Sequence, residues 1–377
     1  MLIEIKGANF LNKGAELMLL AILARVGSAI KDVKFAMAPN LEDCPYKKIA
    51  SLGIYSKLYF QRYGIQCGNW FPRNLLRMYG LVNDSEVNAV LDASGFAYGD
   101  QWGPDPTIDM AKNIRRWKKQ GKKVILLPQA FGPFSGQQIR KAFRIVASQA
   151  DRIYARDAVS YKHIVDLVGE LPNLKQAPDF TGLLEGTIPP SFNRAAQNVA
   201  VIPNQRMMDK TSGVTAENYI PFLVTCVRYF LDAGYRPFFL VHGGNEDEQI
   251  ARKAVQLFGH NVPIVMESNP LHLKGIIGVC KAVVSSRYHG LVSALSQGVP
   301  VIGTGWSHKY RPLFDEYGCP EFLLSLDSQN EHIEDILALF TSELEERKKR
   351  LAEFAAQHKQ ASVKMWDDIL KIISTTR

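Results

Sequence analysis

The sequence predicts an α/β protein built as two Rossmann-like domains facing a cleft. Three observations predict it. Short apolar runs of strand length alternate with amphipathic stretches of helix length, the signature of parallel sheets joined by crossover helices. The alternation breaks once after Asp179, in GTIPPSFNRAAQ (186–197), and then restarts. Its prolines and polar residues mark an interdomain linker. The chain of 377 residues is also longer than one hydrophobic core commonly spans, and long enough for two.

The elements follow in order. A first domain over 1–185 opens with a strand at 2–8, a helix at 14–30 and a strand at 33–38. Strands at 87–93, 123–128 and 152–155 continue its sheet, with helices at 108–120, 137–150 and 159–168 between and after them. A second domain over 196–330 places strands at 198–202 and 237–241 around a helix at 219–233. Strands at 262–266, 282–285 and 301–303 follow, with helices between. The run Ala282-Val283-Val284-Ser285 is apolar throughout, as expected of a parallel strand covered on both faces. A short helix at 290–297 ends at Gly298-Val299-Pro300, which cannot continue it. The segment 331–377 is mostly helical.

Composition narrows the function. With 46% hydrophobic and 22% charged residues, the chain is an ordinary globular protein. It has no apolar run long enough to span a membrane, and its first residues show no secretory signal. Cysteines at 44, 67, 226, 280 and 319 form no C-x-x-C pair, so reduced thiols in a cytoplasmic protein are expected and structural zinc is not. The net charge of +8 suits nucleic acid, acidic lipid or a phosphorylated small molecule. No nucleic-acid motif or basic tail accompanies it, so nucleic acid is not an expected partner. Lys112, Arg115, Arg116, Lys118, Lys119, Lys122 and Lys123 crowd one helix and its exit, and 62–81 interleaves arginines with aromatics and leucines. Together these could dock the protein peripherally on the inner face of an anionic membrane.

The chemistry concentrates at 281–310. Ligands of open parallel sheets bind beyond the carboxyl ends of the strands. Arg287 and His289 follow the end of one strand, and Lys309 the end of the next. Two cations and an imidazole at one rim suit an anion that must exchange a proton. His308, beside Lys309, is a competing base. His242 stands at another strand end, next to glycines that let a ligand approach the backbone. The acidic run Glu246-Asp247-Glu248 complements a helix dipole and needs no metal. In the first domain, Asn12 and Glu16 flank a helix start at Gly14, whose free amides can hold an anion or a sugar hydroxyl. Glu16 fits equally an ordinary first-turn carboxylate. Asp92, Ser94 and Asp100 lie in a polar, glycine-rich loop after a strand, and Gln129 lies at another strand end.

Three patterns resemble the polysaccharide pyruvyl transferase family. The first is S-x-R-x-H at Ser285–His289, followed by Gly298-Val299-Pro300 and by Lys309, twenty positions after the histidine. The others are N-x-G-[DA]-E at Asn12–Glu16 and R-D-x-x-S at Arg156–Ser160. The likeness covers roughly 1–320 and departs at 92–96, where many members carry a run of glycines. It implies a GT-B-like architecture and transfer of the pyruvyl group of phosphoenolpyruvate onto a sugar of a surface polysaccharide or its lipid-linked precursor, forming a ketal and releasing phosphate. No cofactor or metal beyond that donor is expected. On this reading His289 is the general acid or base, and Arg287 and Lys309 bind the donor and steady the departing phosphate. Arg156 would reach across as a third cation, and His242 would line the donor. Asn12, Glu16, Asp92, Ser94, Asp100 and Gln129 would meet the acceptor, with Asp92 and Asp100 binding or deprotonating sugar hydroxyls. The alternatives are a nucleotide-sugar-dependent glycosyltransferase of the same plan and a non-catalytic binding protein.

Overall fold

The computed structural model describes residues 1–58, 61–62, 65–66, 71–327 and 332–375. By contacts the chain forms two compact units: Met1–Leu11, Met18–Phe180 and Ala361–Arg377 make the first, Asn12–Leu17 and Thr181–Gln360 the second.

The first unit carries, in order, β1 (Leu2–Lys6), α1 (Lys13–Ala29), β2 (Lys34–Met37), α2 (Tyr46–Ser51), β3 (Tyr55–Lys57), β4 (Gln61–Arg62), β5 (Ile65–Gln66), α3 (Arg73–Met78) and β6 (Leu81–Val82). Then come β7 (Ala89–Asp92), α4 (Asp105–Lys119), β8 (Lys123–Gln129), α5 (Gln137–Gln149), β9 (Arg152–Ala155), α6 (Ala158–Val168) and β10 (Leu174–Gln176). Its sheet runs β10-β9-β8-β7-β1-β2-β3-β6, with every described pairing parallel. The strand order reverses between β1 and β7. Both strands are buried along nearly their whole length, and their charged residues Glu4, Lys6 and Asp92 are paired within the fold. Strands β3, β6 and β10 were not legible, because two or three residues make no apolar run.

The basic stretch around α4 is not an open patch. Lys118 and Lys123 pair with Asp151 at 2.6 and 3.6 Å, and Lys122 is buried against Asp84 at 3.0 Å. Arg116 also faces Asp84, at 3.7 Å. Arg116, Lys118, Lys122 and Lys123 are thus paired within the fold, while Lys112, Arg115 and Lys119 are exposed. Part of the companion segment 62–81 lies outside the described residues. No described helix is long and apolar enough to cross a membrane.

The second unit carries β11 (Val199–Ile202), α7 (Arg206–Asp209), α8 (Gly213–Asp232), β12 (Pro237–Val241), α9 (Asn245–Phe258), β13 (Ile264–Met266), α10 (Pro270–Gly278) and β14 (Ala282–Ser285). It continues with α11 (Tyr288–Leu295), β15 (Val301–Thr304), α12 (Tyr310–Glu316), β16 (Leu323–Leu324), α13 (Ile333–Ser342) and α14 (Leu344–Ser374). The parallel sheet runs β13-β12-β11-β14-β15-β16, the 3-2-1-4-5-6 order of a Rossmann fold. Its reversal lies between β11 and β14.

Two segments differ from the sequence reading. Residues 186–197 contain no helix or strand and are mostly exposed, but their start is anchored. Thr187 N donates to Leu271 O at 2.9 Å, and Gly186 and Gly275 approach so closely that a Cβ on Gly186 would lie 2.3 Å from Gly275 N. The stretch is therefore fastened to the second unit. The C-terminal piece 331–377, expected as one segment, is two helices whose contacts divide within α14. Its end docks on the first unit: Asp368 accepts from Tyr154 Oη and pairs with Arg152 Nε at 2.8 Å, and Trp366 meets Phe180 edge-on at 5.6 Å.

Candidate active site

At the reversal point of the second sheet, one peptide is fixed from several sides. Asn204 Nδ2 and Tyr310 Oη donate to Ser286 O at 2.7 and 2.8 Å. Tyr219 Oη donates to Ser286 Oγ at 2.8 Å and accepts from Asn204 N at 2.8 Å. Arg287 N donates to Ser285 Oγ at 3.0 Å, turning the chain into α11. This buried network dictates how Arg287 leaves the sheet.

Arg287 is held by a partner the sequence reading did not assign. Its Nε and Nη2 donate to the two oxygens of Asp247 at 2.7 and 2.5 Å, a bidentate fork that sets the plane of the guanidinium. Asp247 is fully buried in the first turn of α9 and also accepts from Gln205 N at 3.0 Å. Gly243 makes room for the pair: a Cβ there would lie 2.3 Å from both Arg287 Nη2 and Asp247 Oδ2. Arg287 is thus an oriented arginine, with two of its five N–H donors committed and its side chain 22% exposed. Asp247 does more than complement a helix dipole.

His289 lies two residues on, against the start of α1. The Asn12–Leu17 stretch groups with the second unit by contacts. Asn12 Oδ1 accepts from Gly14 N at 3.0 Å and closes the turn. A Cβ on Gly14 would fall 2.0 Å from His289 Nδ1, so only glycine leaves room for the imidazole. Glu16 pairs with Lys13 at 2.7 Å, which makes it first of all a partner within its own helix turn. His242, at the end of β12, is 2% exposed. Burial first, then the charges of Arg287, His289 and Lys13, push its pKa down to about 3. It is therefore a neutral imidazole that can offer a hydrogen bond but no charge. Among the described residues its buried Nε2 has no hydrogen-bond partner.

Lys309 emerges just before α12 among three rings. Its Nζ lies 4.7 Å from the centroid of Trp306, 5.2 Å from Tyr288 and 5.6 Å from Tyr310. Cation–π contacts hold it in place. Tyr288 also meets the His289 ring edge-on at 5.5 Å. His308 occupies the same turn and is partly buried. The second unit thus gathers Asn12, Glu16, His242, Arg287, His289 and Lys309.

The remaining candidates belong to the first unit, and two have other work there. Asp92 is fully buried, accepts from Ser94 Oγ at 2.5 Å and Tyr98 Oη at 2.6 Å, and faces Lys6 at 3.6 Å. Ser94 is correspondingly its donor. Asp100 accepts from Ser135 N with both oxygens, at 3.0 and 2.8 Å, and so ties one loop to another. Arg156 is 2% exposed and faces Asp179 of its own unit at 3.5 Å. Gln129 is fully buried, with neither amide atom hydrogen-bonded among the described residues. No group of three described His, Cys, Asp or Glu side chains is placed to hold a metal ion.

The sequence matches the family model described as polysaccharide pyruvyl transferase over residues 12–308. No curated protein matches it. Among solved structures it is similar to Anabaena Alr3699/HepE in complex with UDP-glucose, at 13% identity and TM-score 0.58 over 100% of both chains. It is also similar to UDP-GlcNAc 2-epimerase from Neisseria meningitidis bound to UDP-GlcNAc, at 10% identity and TM-score 0.59, covering 98% of this chain and 99% of that one. S. aureus MnaA with UDP is a third, at 11% identity and TM-score 0.56, covering 99% and 96%. At such identities these likenesses establish the two-domain GT-B-like fold alone.

Proposed function

The chain belongs to the polysaccharide pyruvyl transferase family, and from that membership we propose that it moves the pyruvyl group of phosphoenolpyruvate onto two hydroxyls of a sugar, forming a ketal and releasing phosphate. The acceptor is a sugar of a surface polysaccharide or of its lipid-linked precursor. The observation that carries this reading is the Asp247-oriented Arg287 two residues from His289 at the strand-order reversal. A planar, fixed fork suits a carboxylate or phosphate, and an imidazole beside it suits proton transfer near neutral pH.

The chemistry assigns the parts. Protonation of the donor methylene carbon by His289 places positive charge at C2. A sugar hydroxyl adds there and gives up its proton to the imidazole. Phosphate then leaves, drawing on Arg287 and Lys309, and a second hydroxyl of the same sugar closes the ketal, its proton passing to the released phosphate. One donor and one diol become one ketal and one phosphate. Fixed donors aimed at the leaving phosphate lower the barrier because they need no reorganisation during the step. His242, neutral at the back of the site, supplies a hydrogen bond without adding to the positive field.

Phosphate release measured with phosphoenolpyruvate and a panel of free and lipid-linked oligosaccharides tests this. Release should require both substrates and persist in EDTA. Turnover of UDP-glucose without phosphoenolpyruvate would overturn the reading.

A further inference from the structure

A pocket of about 220 Å³ lies over the carboxyl ends of β15 and β16, beside Lys309 and lined by one of its three rings, Trp306. Its walls include Thr304 and Trp306 after β15, Ser325 and Asp327 after β16, and Ser212 and Thr215 from the start of α8. Asp327 accepts from Thr215 Oγ1, from Ser325 Oγ at 3.0 Å and from Ser212 Oγ at 3.4 Å. Those hydroxyl donors, Thr215 first, hold its carboxyl below the usual range, so it stays an acceptor. Capping of α8 accounts for Ser212, whose Oγ accepts from Thr215 N. It does not account for an indole and an exposed carboxylate lining the same pocket.

We propose that this pocket holds one sugar ring of the acceptor, with the Trp306 indole against its C–H face and Asp327 and Ser325 on its hydroxyls. The chemistry matches on both sides. A pyranose presents one face of C–H groups, which packs on an aromatic surface, and a rim of hydroxyls, which needs both acceptors and donors. A carboxylate with about four lone-pair sites can take a ligand hydroxyl beside its three protein donors. The size matches too. Pockets for larger ligands run roughly 300–1,000 Å³, so 220 Å³ suits a monosaccharide better than a nucleoside diphosphate.

Position supports the assignment, which rests on the pyruvyl-transfer reading. Gly303 on β15 pairs with Ser285 on β14, so the Thr304–Trp306 wall of the pocket leaves the strand next to the one from which Arg287 emerges. Lys309 spans the gap, at 4.7 Å from the Trp306 ring and 5.2 Å from that of Tyr288. A sugar seated against Trp306 would have its hydroxyls beside the proposed donor site.

Saturation-transfer NMR with the methyl glycosides of glucose, galactose, mannose and N-acetylglucosamine tests the pocket, alongside calorimetry of phosphoenolpyruvate on the same protein. At least one glycoside should bind. Asp327→Ala should weaken it on the order of tenfold or more, the loss expected for a hydrogen bond to a charged group, with phosphoenolpyruvate affinity unchanged within about twofold. Ser325→Leu, from an exposed position, should block the sugar if Asp327→Ala melts early. Glycosides that bind both variants as well as the parent protein, or that bind none of the three, would overturn the pocket. Failure of phosphoenolpyruvate to bind the parent protein would instead overturn the donor reading.

Discussion

Replacing Gly14 with alanine should silence the enzyme without unfolding it. Gly14 sits in the first turn of α1, outside the left-handed backbone region, so alanine fits the backbone and by helix propensity alone would stabilise it by up to ~1 kcal/mol. The tertiary contact says otherwise. The added methyl would lie 2.0 Å from His289 Nδ1, 2.4 Å from Cγ and 2.8 Å from Cε1, all atoms of a rigid ring. Restoring ordinary contact at 3.4 Å from 2.0 Å moves the imidazole by 3.4 − 2.0, about 1.4 Å. A misplacement of about 1 Å costs on the order of 10²-fold in rate, which is about 2.7 kcal/mol of barrier. Single-turnover phosphate release should fall by at least that factor. Phosphoenolpyruvate affinity should stay within about threefold, since Arg287 is untouched, and the protein should still unfold cooperatively, the helix-propensity gain offsetting part of an overpacking cost of ~1–3 kcal/mol. In a His289→Ala background Gly14→Ala should add nothing, because both act through one ring. Full activity in Gly14→Ala, or a further loss in the double variant, would refute the argument.

Three other outcomes follow from particular contacts. Asp247→Asn should weaken phosphoenolpyruvate binding at least tenfold and cost about 2–4 kcal/mol in urea unfolding, since it breaks a largely buried pair while keeping the side chain's shape; calorimetry and denaturation check the two effects separately. His242 has a folded pKa of about 3 against an ordinary 6.5, so the unfolded chain binds the extra proton between those values, and stability present above pH 6.5 is lost as pH falls through that window. Between pH 7 and 4.5 the loss from this group is about 2–3 kcal/mol, and His242→Gln should remove that part of the acid sensitivity in paired denaturant melts. Lys57 is 3% exposed between Glu4 and Asp84, so Lys57→Met should destabilise the protein by about 3–5 kcal/mol, read from urea unfolding.

What could be read from the sequence was what local pattern encodes. The run Ala282–Ser285 and the stop at Gly298-Val299-Pro300 placed Arg287 and His289 at a strand end, and the fold puts them there. Asp247 was hidden because a first-turn carboxylate already has a local explanation, while its pairing with Arg287 is made only when β12 and β14 enter one sheet. The role of Gly14 against His289 is invisible for the same reason. Asp92 illustrates the opposite case. A polar, glycine-rich loop suggests a ligand, but the adjacency of β1 and β7 brings Lys6 to its carboxylate and turns it inward. Lys309 was legible as a cation, whereas the three rings that position it depend on packing between α11 and the turn after β15.

Each sheet reverses its strand order once, so topology alone offers two candidate crevices. Electrostatics separates them. Between β1 and β7, burial opposes the charge on Lys6, but Asp92 and Tyr98 outweigh it and hold the lysine above its ordinary pKa. The crevice there is also narrowed by its own chain, for a Cβ on Gly7 would lie 2.6 Å from Ser94 Cα. Cation and carboxylate answer each other, and an incoming anion would have to displace a buried partner. Between β11 and β14 the sign is different. His242 is kept neutral by burial and by the positive field of Arg287, His289 and Lys13, even with Asp247 beside Arg287. An anionic donor bound there would meet the cationic groups that depress the His242 pKa, whereas a neutral sugar hydroxyl would not. This difference is what favours the second crevice for the proposed donor, and it leaves the neighbouring pocket of hydroxyls and indole for the proposed sugar acceptor.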